Sequence, residues 1–337
     1  MSRYVLRRVA VMPLLMLGIV TMVFVVTRLT PADPIVTIVG ERNLGNPVIV
    51  DAAKRQWGLD QSVPQQYVKY VANLAKGDLG RSFHTRQSVG KDLSDRLPAT
   101  LELTLAALVI GLVSGIGLGI VAARRRDSWV DHVSRLFALV GSSMPAFWAG
   151  LLFLYVFYVR LGWFPGPGRF DPRGIAPAHH TGFYTIDSLI AGDWSAFWES
   201  LRYLAMPAFV LGWGITGIVS RLTRASLLDE LGADYVRTAR AMGIPERRVV
   251  AEHALPNALL PTITIAGFAF AFLITGAVLV ETVFSWNGVG SYAVDAARSL
   301  DYPAIMGVSL LGGVAFLVTN LLTDLAYALI DPRIRLS

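Results

Sequence analysis

The sequence predicts an all-α polytopic membrane protein with six transmembrane helices. Three observations lead there. Of its 337 residues, 54% are hydrophobic and 16% charged, whereas a soluble chain carries about 25% charged residues. Apolar runs of about 20 residues recur, each long enough to cross a hydrocarbon core about 30 Å thick. The arginines gather beside the ends of those runs, where membrane orientation is set. The formal net charge of +6 could attract phosphate, but its placement reads as orientation, and nucleic acid is set aside as a partner. The chain has no cysteine, so disulfides, thiolate metal sites and cysteine nucleophiles are excluded.

The first run, 9–29, follows Arg3, Arg7 and Arg8. It exceeds the apolar core of a secretory leader, about 7–15 residues, and no small-residue cleavage site follows, so it is expected to be retained as the first span. Further spans are expected at 98–123, 133–161, 201–220, 261–283 and 304–330. Arg124, Arg125, Arg126 and Arg135 lie between the second and third of these six. Arg221, Arg224, Arg237, Arg240, Arg247 and Arg248 lie between the fourth and fifth, and Arg333 and Arg335 in the tail. Six crossings put all of these on the side of the N-terminus, which makes both termini cytoplasmic.

Three parts result: a tail and first span (1–29), an exported element (30–97) and a core (98–337) containing a cytoplasmic loop, 221–260. In the exported element, Asp51 can cap a helix that reaches Trp57 and stops at Gly58. Ser62 and Pro64 suit the start of a second, with Tyr67, Tyr70, Val71 and Leu74 at helical spacing and a stop at Gly77. The element is either a docking surface for an extracytoplasmic partner or a lid packed on its own protein. The other exported connection, 162–200, opens on turn-forming Pro165-Gly166-Pro167-Gly168, with Trp163 at headgroup level. His179-His180 lacks the geometry of a closed metal site and reads as loop histidine.

Inside the bilayer, Gly111, Gly115 and Gly119 recur every fourth residue and open one helix face to another backbone, for packing or for sliding during gating. Gly212, Gly214 and Gly217 permit similar closeness in the fourth span. Glu102 and Glu281 lie toward the outside and Asp324 toward the cytoplasm. Carboxylates are costly in lipid, so each is a functional candidate. Glu102 and Glu281 could meet a substrate amine in an outward vestibule, reach the interface, or pair with basic residues of the exported element. Asp324 could pair with Arg221 or Arg333.

The stretch 234–261 is polar, helix-prone and divided at Gly243-Ile244-Pro245. Asp234 can open a helix that Gly243 ends. Pro245 suits the first turn of the next, which has Val249, Val250 and Ala254 as its apolar patch. Two readings are open: a rigid lever worked by a soluble partner, or an amphipathic connector on the bilayer surface.

Arg237-Thr238-Ala239, Gly243 four residues beyond, and then Leu255-Pro256 resemble the EAA signature of ABC-importer permeases, in particular the dipeptide/oligopeptide permease family. The general signature begins with glutamate, where Arg237 resembles the peptide branch. Similar runs are Gly77-Asp78-Leu79-Gly80-Arg81-Ser82, Leu97-Pro98-Ala99-Thr100-Leu101-Glu102, Glu281-Thr282-Val283-Phe284-Ser285-Trp286, Asp301-Tyr302-Pro303 and Asp331-Pro332-Arg333-Ile334-Arg335. Asn287 stands before Gly288 where the family often has proline.

The resemblance implies a type I ABC importer permease in the inner or plasma membrane of a prokaryote, paired with a second, homologous permease as a heterodimer. One or two cytoplasmic ABC ATPases would grip Arg237, Thr238, Ala239, Gly243, Ile244, Pro245, Glu246, Arg247, Leu255 and Pro256, using ATP and magnesium. An extracytoplasmic substrate-binding protein would deliver a peptide. This chain has no phosphate-binding loop, no zinc-protease helix and no hydrolase elbow, so no catalytic residue, cofactor or metal is expected in it. The alternatives are the same architecture serving a nickel chelate, glutathione or haem, an ion-gradient carrier, or an assembly scaffold. A carrier would be expected to show internal repeats and midplane carboxylates, and neither is found.

Overall fold

The computed structural model describes the backbone of residues 2–29 and 33–330, and their side chains except 2–9, 264, 271, 274–276 and 322–330. Arg3, Arg7, Arg8 and Asp324 therefore have no described side chain, and the Asp331–Arg335 run lies outside the described residues.

The described chain is helical, with one isolated β-bridge between Arg81 and Ser88. Four long apolar helices organise it: α1 (Ser2–Leu29), α5 (Val89–Arg124), α9 (Trp194–Leu231) and α15 (Tyr302–Ile330). The run expected at 261–283 forms α13 (Leu260–Val283). Short helices α2 (Ile35–Val39), α3 (Pro47–Trp57) and α4 (Val63–Leu74) follow α1, and α8 (Tyr184–Ile190) precedes α9. Helices α10 (Asp234–Ala241), α11 (Glu246–Arg248) and α12 (Leu255–Ala258) lie between α9 and α13, and α14 (Val289–Arg298) precedes α15.

The third expected span is not one straight helix. It divides into α6 (Trp129–Ser143) and α7 (Ala146–Phe153), the latter continuing as a π-helical stretch, Leu154–Arg160, and the two halves meet at 108°. Pro145 causes the break: the residue before a proline is pushed toward extended backbone, and Met144 sits at φ −82°, ψ 129°. The second span also begins earlier than its apolar run. Ser88 precedes α5, and Val89 and Leu93 bury against Val289, Tyr292 and Ala304, so Pro98 falls inside the helix.

Helices α5 and α9 form the centre of the fold. A Cβ placed on Gly111 would lie 2.8 Å from Ile215, on Gly115 2.7 Å from Val219, and on Gly119 2.7 Å from Thr223. The small-residue stripe thus lets α9 approach to backbone contact, and Ser114 Oγ and Thr216 Oγ1 lie 2.7 Å apart across the same seam. Leu103, Ala107, Val219, Val280 and Trp286 form the buried core around it.

The segment after α1 packs on its own protein. Phe83 and Ile38 join Phe24 of α1 and Tyr302 and Met306 of α15 in one cluster, with Trp57, Tyr67 and Tyr70 against it. Asp51 does not cap α3. Asn46 does so, accepting from Val48 N at 3.1 Å with Pro47 at the first helical position. Gly58 ends that helix in the left-handed region at φ 68°. The second helix opens at Ser62, whose N–H is taken by Gln65 Oε1 at 3.2 Å. It ends at Leu74, and Gly77 closes the following turn.

Candidate functional site

The elbow between α9 and α13 is built on an apolar underside. Val236 and Ala239 of α10 lie inward with Val249, Val250, Ala254 and Ala258, against Leu227 near the end of α9 and Ala123 near the end of α5. The opposite surface exposes Arg237, Thr238, Met242, Gly243, Arg247 and Arg248.

Helix α10 ends in a Schellman motif. Gly243 takes φ 77°, its N–H reaches Arg240 O at 3.0 Å, and Ile244 N reaches Ala239 O at 3.3 Å. Ile244 thereby turns in toward the apolar cluster. Pro245, expected in the first turn of the next helix, stands just before it at φ −57°, ψ 137°. Arg240 bridges the turn: its Nε lies 3.0 Å from Glu246 Oε2, its Nη2 2.8 Å from Oε1, and its Nη1 3.2 Å from Leu231 O. That fork holds the Glu246 carboxyl below its ordinary range. Beyond α11 the chain widens into a π-helical turn over Val249–Ala254. Pro256 follows, unable to donate to the carbonyl four residues back, so the wide turn falls where the α pattern fails.

The base of the elbow is tied to the spans. Arg224 of α9 grips the fully buried Asp131 of α6, and Arg135 adds a contact at 3.3 Å. Thr223 of α9 and Thr262 of α13 lie 3.2 Å apart through their hydroxyls. The elbow is thus packed on α5 and α9, and α9 is bonded at that level to α6 and α13.

The two outward carboxylates are held by protein donors. Glu102 pairs with Arg169 at 2.6 Å and accepts from Thr185 N at 2.9 Å and Thr185 Oγ1 at 2.7 Å. Its basic partner thus comes from the 162–200 connection and not from the 30–97 element. Arg169 lies over the rings of Tyr184 and Trp286, at 4.0 and 5.5 Å. Glu281 is fully buried and accepts from Thr100 Oγ1 at 2.6 Å and Ser291 N at 3.0 Å. Gly288 is small for a reason: a Cβ there would sit 2.5 Å from both Glu281 oxygens.

Several polar anchors had no role assigned from the sequence, Asp301 and Ser82 standing there only as members of short runs. Asp301 accepts from Ser82 Oγ and from His84 N at 3.0 Å, pinning the segment after α4 to the start of α15. Asp92 receives Thr85 Oγ1 at 2.6 Å and Tyr292 OH at 3.0 Å. Asp187 gathers Thr181 N and Oγ1 and the N–H groups of His180 and Gly182. Asp131 had a legible signal, since Ser128 three residues earlier makes a helix-start pattern. The others depend on partners distant in sequence or on loop conformation.

A family described as binding-protein-dependent transport system inner membrane component matches residues 115–336, and its N-terminal companion matches residues 1–104. The chain is 43% identical over 321 residues to a probable D,D-dipeptide transport system permease protein of Escherichia coli, covering 95% of this chain and 94% of that one. It is 41% identical to a di/tripeptide transport system permease protein of Pseudomonas aeruginosa, covering 99% of each. With a dipeptide transport system permease protein of Alkalihalophilus pseudofirmus it shares 38% identity, over 99% of this chain and 100% of that one.

Proposed function

The chain belongs to the family of binding-protein-dependent transport inner membrane components, and from that premise we propose that it is the translocation subunit of an ATP-driven importer of short peptides. The named substrates of the relatives, dipeptides and tripeptides, support the choice of cargo over a nickel chelate, glutathione or haem. The match to the family of binding-protein-dependent transport inner membrane components favours the importer over an ion-gradient carrier. A second permease completes the pathway, an extracytoplasmic protein presents the peptide, and cytoplasmic ATPases use the ATP and magnesium.

The observation that carries the mechanism is the two-faced elbow. Its apolar underside packs on Leu227 of α9 and Ala123 of α5, while Arg237, Met242 and Gly243 face outward. An ATPase that grips the outer face in one nucleotide state and shifts it in another biases the two states of the pathway, because only differential contact moves such an equilibrium. On this reading the elbow and both termini are cytoplasmic.

The test is uptake of a labelled dipeptide into vesicles holding this chain with its partner permease, ATPases and binding protein. Uptake should require ATP. Uptake that ignores ATP and follows a proton or sodium gradient would establish the carrier instead. Gly243→Pro, or removal of 244–250, should abolish co-purification of the ATPase, and intact co-purification would overturn the docking assignment.

A further inference from the structure

A cleft of about 550 Å³ opens between residues 165–171 and the first three turns of α9. Charges of both signs line it. The carboxylates of Asp171 and Glu199 and the guanidinium of Arg202 share it with the Tyr203 phenol and the Trp198 ring. Among the described residues, none of the three charged groups takes part in an ion pair. Asp171 Oδ1 accepts from Arg173 N at 2.9 Å, and Glu199 Oε1 from Asp171 N at 3.2 Å. Arg202 reaches only as far as Trp163 O, 3.5 Å from Nη2, at the limit of a hydrogen bond. Asp171 Oδ2, Glu199 Oε2 and Tyr203 OH have no partner among the described residues. None of these three atoms is enclosed, so each keeps surface that a guest can touch.

That lining selects a class of guest. A plain cation drawn to the two carboxylates would share the cleft with Arg202. A plain anion drawn to Arg202 would face both carboxylates. A zwitterion satisfies both signs. Calcium takes about six to eight oxygen ligands, whereas two carboxylates meet here, each with one oxygen already bound to backbone. The volume falls in the range of about 300–1,000 Å³ common to small-molecule pockets. Trp198, 60% exposed, adds an apolar ring whose face also attracts a cation.

We propose that this cleft binds a small zwitterion, with Asp171 and Glu199 taking its ammonium, Arg202 its anionic group and Trp198 its apolar part. Two sources carry that chemistry: a free short peptide and the phosphoethanolamine headgroup of a lipid. The site stands on its lining alone, and only the identification of a peptide guest with the cargo rests on the importer reading. On that reading the cleft lies at the opposite end of α9 from the elbow, on the side from which cargo enters.

The test uses the full chain in nanodiscs of phosphatidylglycerol, a lipid without an ammonium. Ring-fluorinated alanylphenylalanine is titrated in and its binding followed by fluorine NMR. The dipeptide should bind, and its N-acetyl and C-terminal amide derivatives about tenfold more weakly, each having lost a charge-assisted contact. Asp171→Asn and Glu199→Gln keep the side-chain shape and should each weaken the dipeptide about tenfold. Arg202→Gln should erase the preference for the dipeptide over its amide. Absence of binding, equal binding of the three ligands, or equal binding by wild type and all variants would overturn the site. Exchanging phosphatidylglycerol for phosphatidylethanolamine separates the two sources of a zwitterion. Unchanged affinity assigns the cleft to soluble peptide, and competitive loss assigns it to the headgroup. Neither ATPase nor binding protein is present, so failure here and failure of ATP-driven uptake are separate results.

Discussion

Arg224 of α9 meets Asp131 of α6 through two hydrogen bonds, Nε to Oδ1 at 2.8 Å and Nη2 to Oδ2 at 2.7 Å, with the carboxylate fully buried. This fork sits ten residues before the start of α10 and joins the first half of the broken span to the helix that carries the elbow.

Arg224→Met should therefore destabilise the protein by about 3–5 kcal/mol, since it leaves a buried carboxylate without its main partner. Adding Asp131→Leu should recover most of the loss, because a well-packed apolar pair replaces a buried ion pair with little penalty. Thermal unfolding in detergent measures both. Equal stability of the single and double variants would contradict the assignment.

Gly115→Val should destabilise by about 1–3 kcal/mol or more, because its Cβ would lie 2.7 Å from Val219. Gly117→Ala is the control. Two positions further on, it meets nothing within 4 Å and should leave the unfolding temperature unchanged or slightly raised.

At Gly243 a Cβ would meet nothing, so only the backbone at φ 77° objects to a side chain. Gly243→Asn should be tolerated better than Gly243→Ala, and Gly243→Val least, since asparagine enters the left-handed region most readily and β-branched residues least. ATPase co-purification with the three variants should follow that order. A uniform response would mean that the Schellman turn does not set the elbow.

Asp187 titrates with a defined sign. Burial raises its pKa, but the hydrogen bonds from Thr181, Gly182 and His180 outweigh it and hold the carboxyl below its ordinary value of 3.8. The group therefore contributes stability that is fully present above that ordinary value and is lost as pH falls through the depressed one. Amide exchange at Thr181 and Gly182, taken relative to the intrinsic rate at each pH, should be slow at neutral pH and quicken only in strong acid. In Asp187→Asn it should be fast throughout, and protection that survives in Asp187→Asn would remove Asp187 as its source.

Legibility followed the range of the interactions. Gly58, Ser62 and Gly243 act on neighbours within a turn, so their places at helix ends were readable from local sequence. The glycines at 111, 115 and 119 announced a contact face, but α9 as their partner was visible only in space. Glu102 shows the limit most clearly. Its sequence position marked a buried carboxylate, while Arg169, Thr185 and their loop had to fold back 67 and 83 residues away to show what holds it.

By itself the sequence determined that the chain is helical and apolar enough for a membrane, and it pointed to the permease family, because hydropathy, capping and short motifs are properties of adjacent residues. Only the tertiary structure decided that the third apolar run bends at Met144-Pro145 and that Glu281 braces Thr100 and Ser291. Those outcomes depend on which surfaces meet, and in a helical protein the partners of a buried polar group are chosen by packing between segments far apart in the chain.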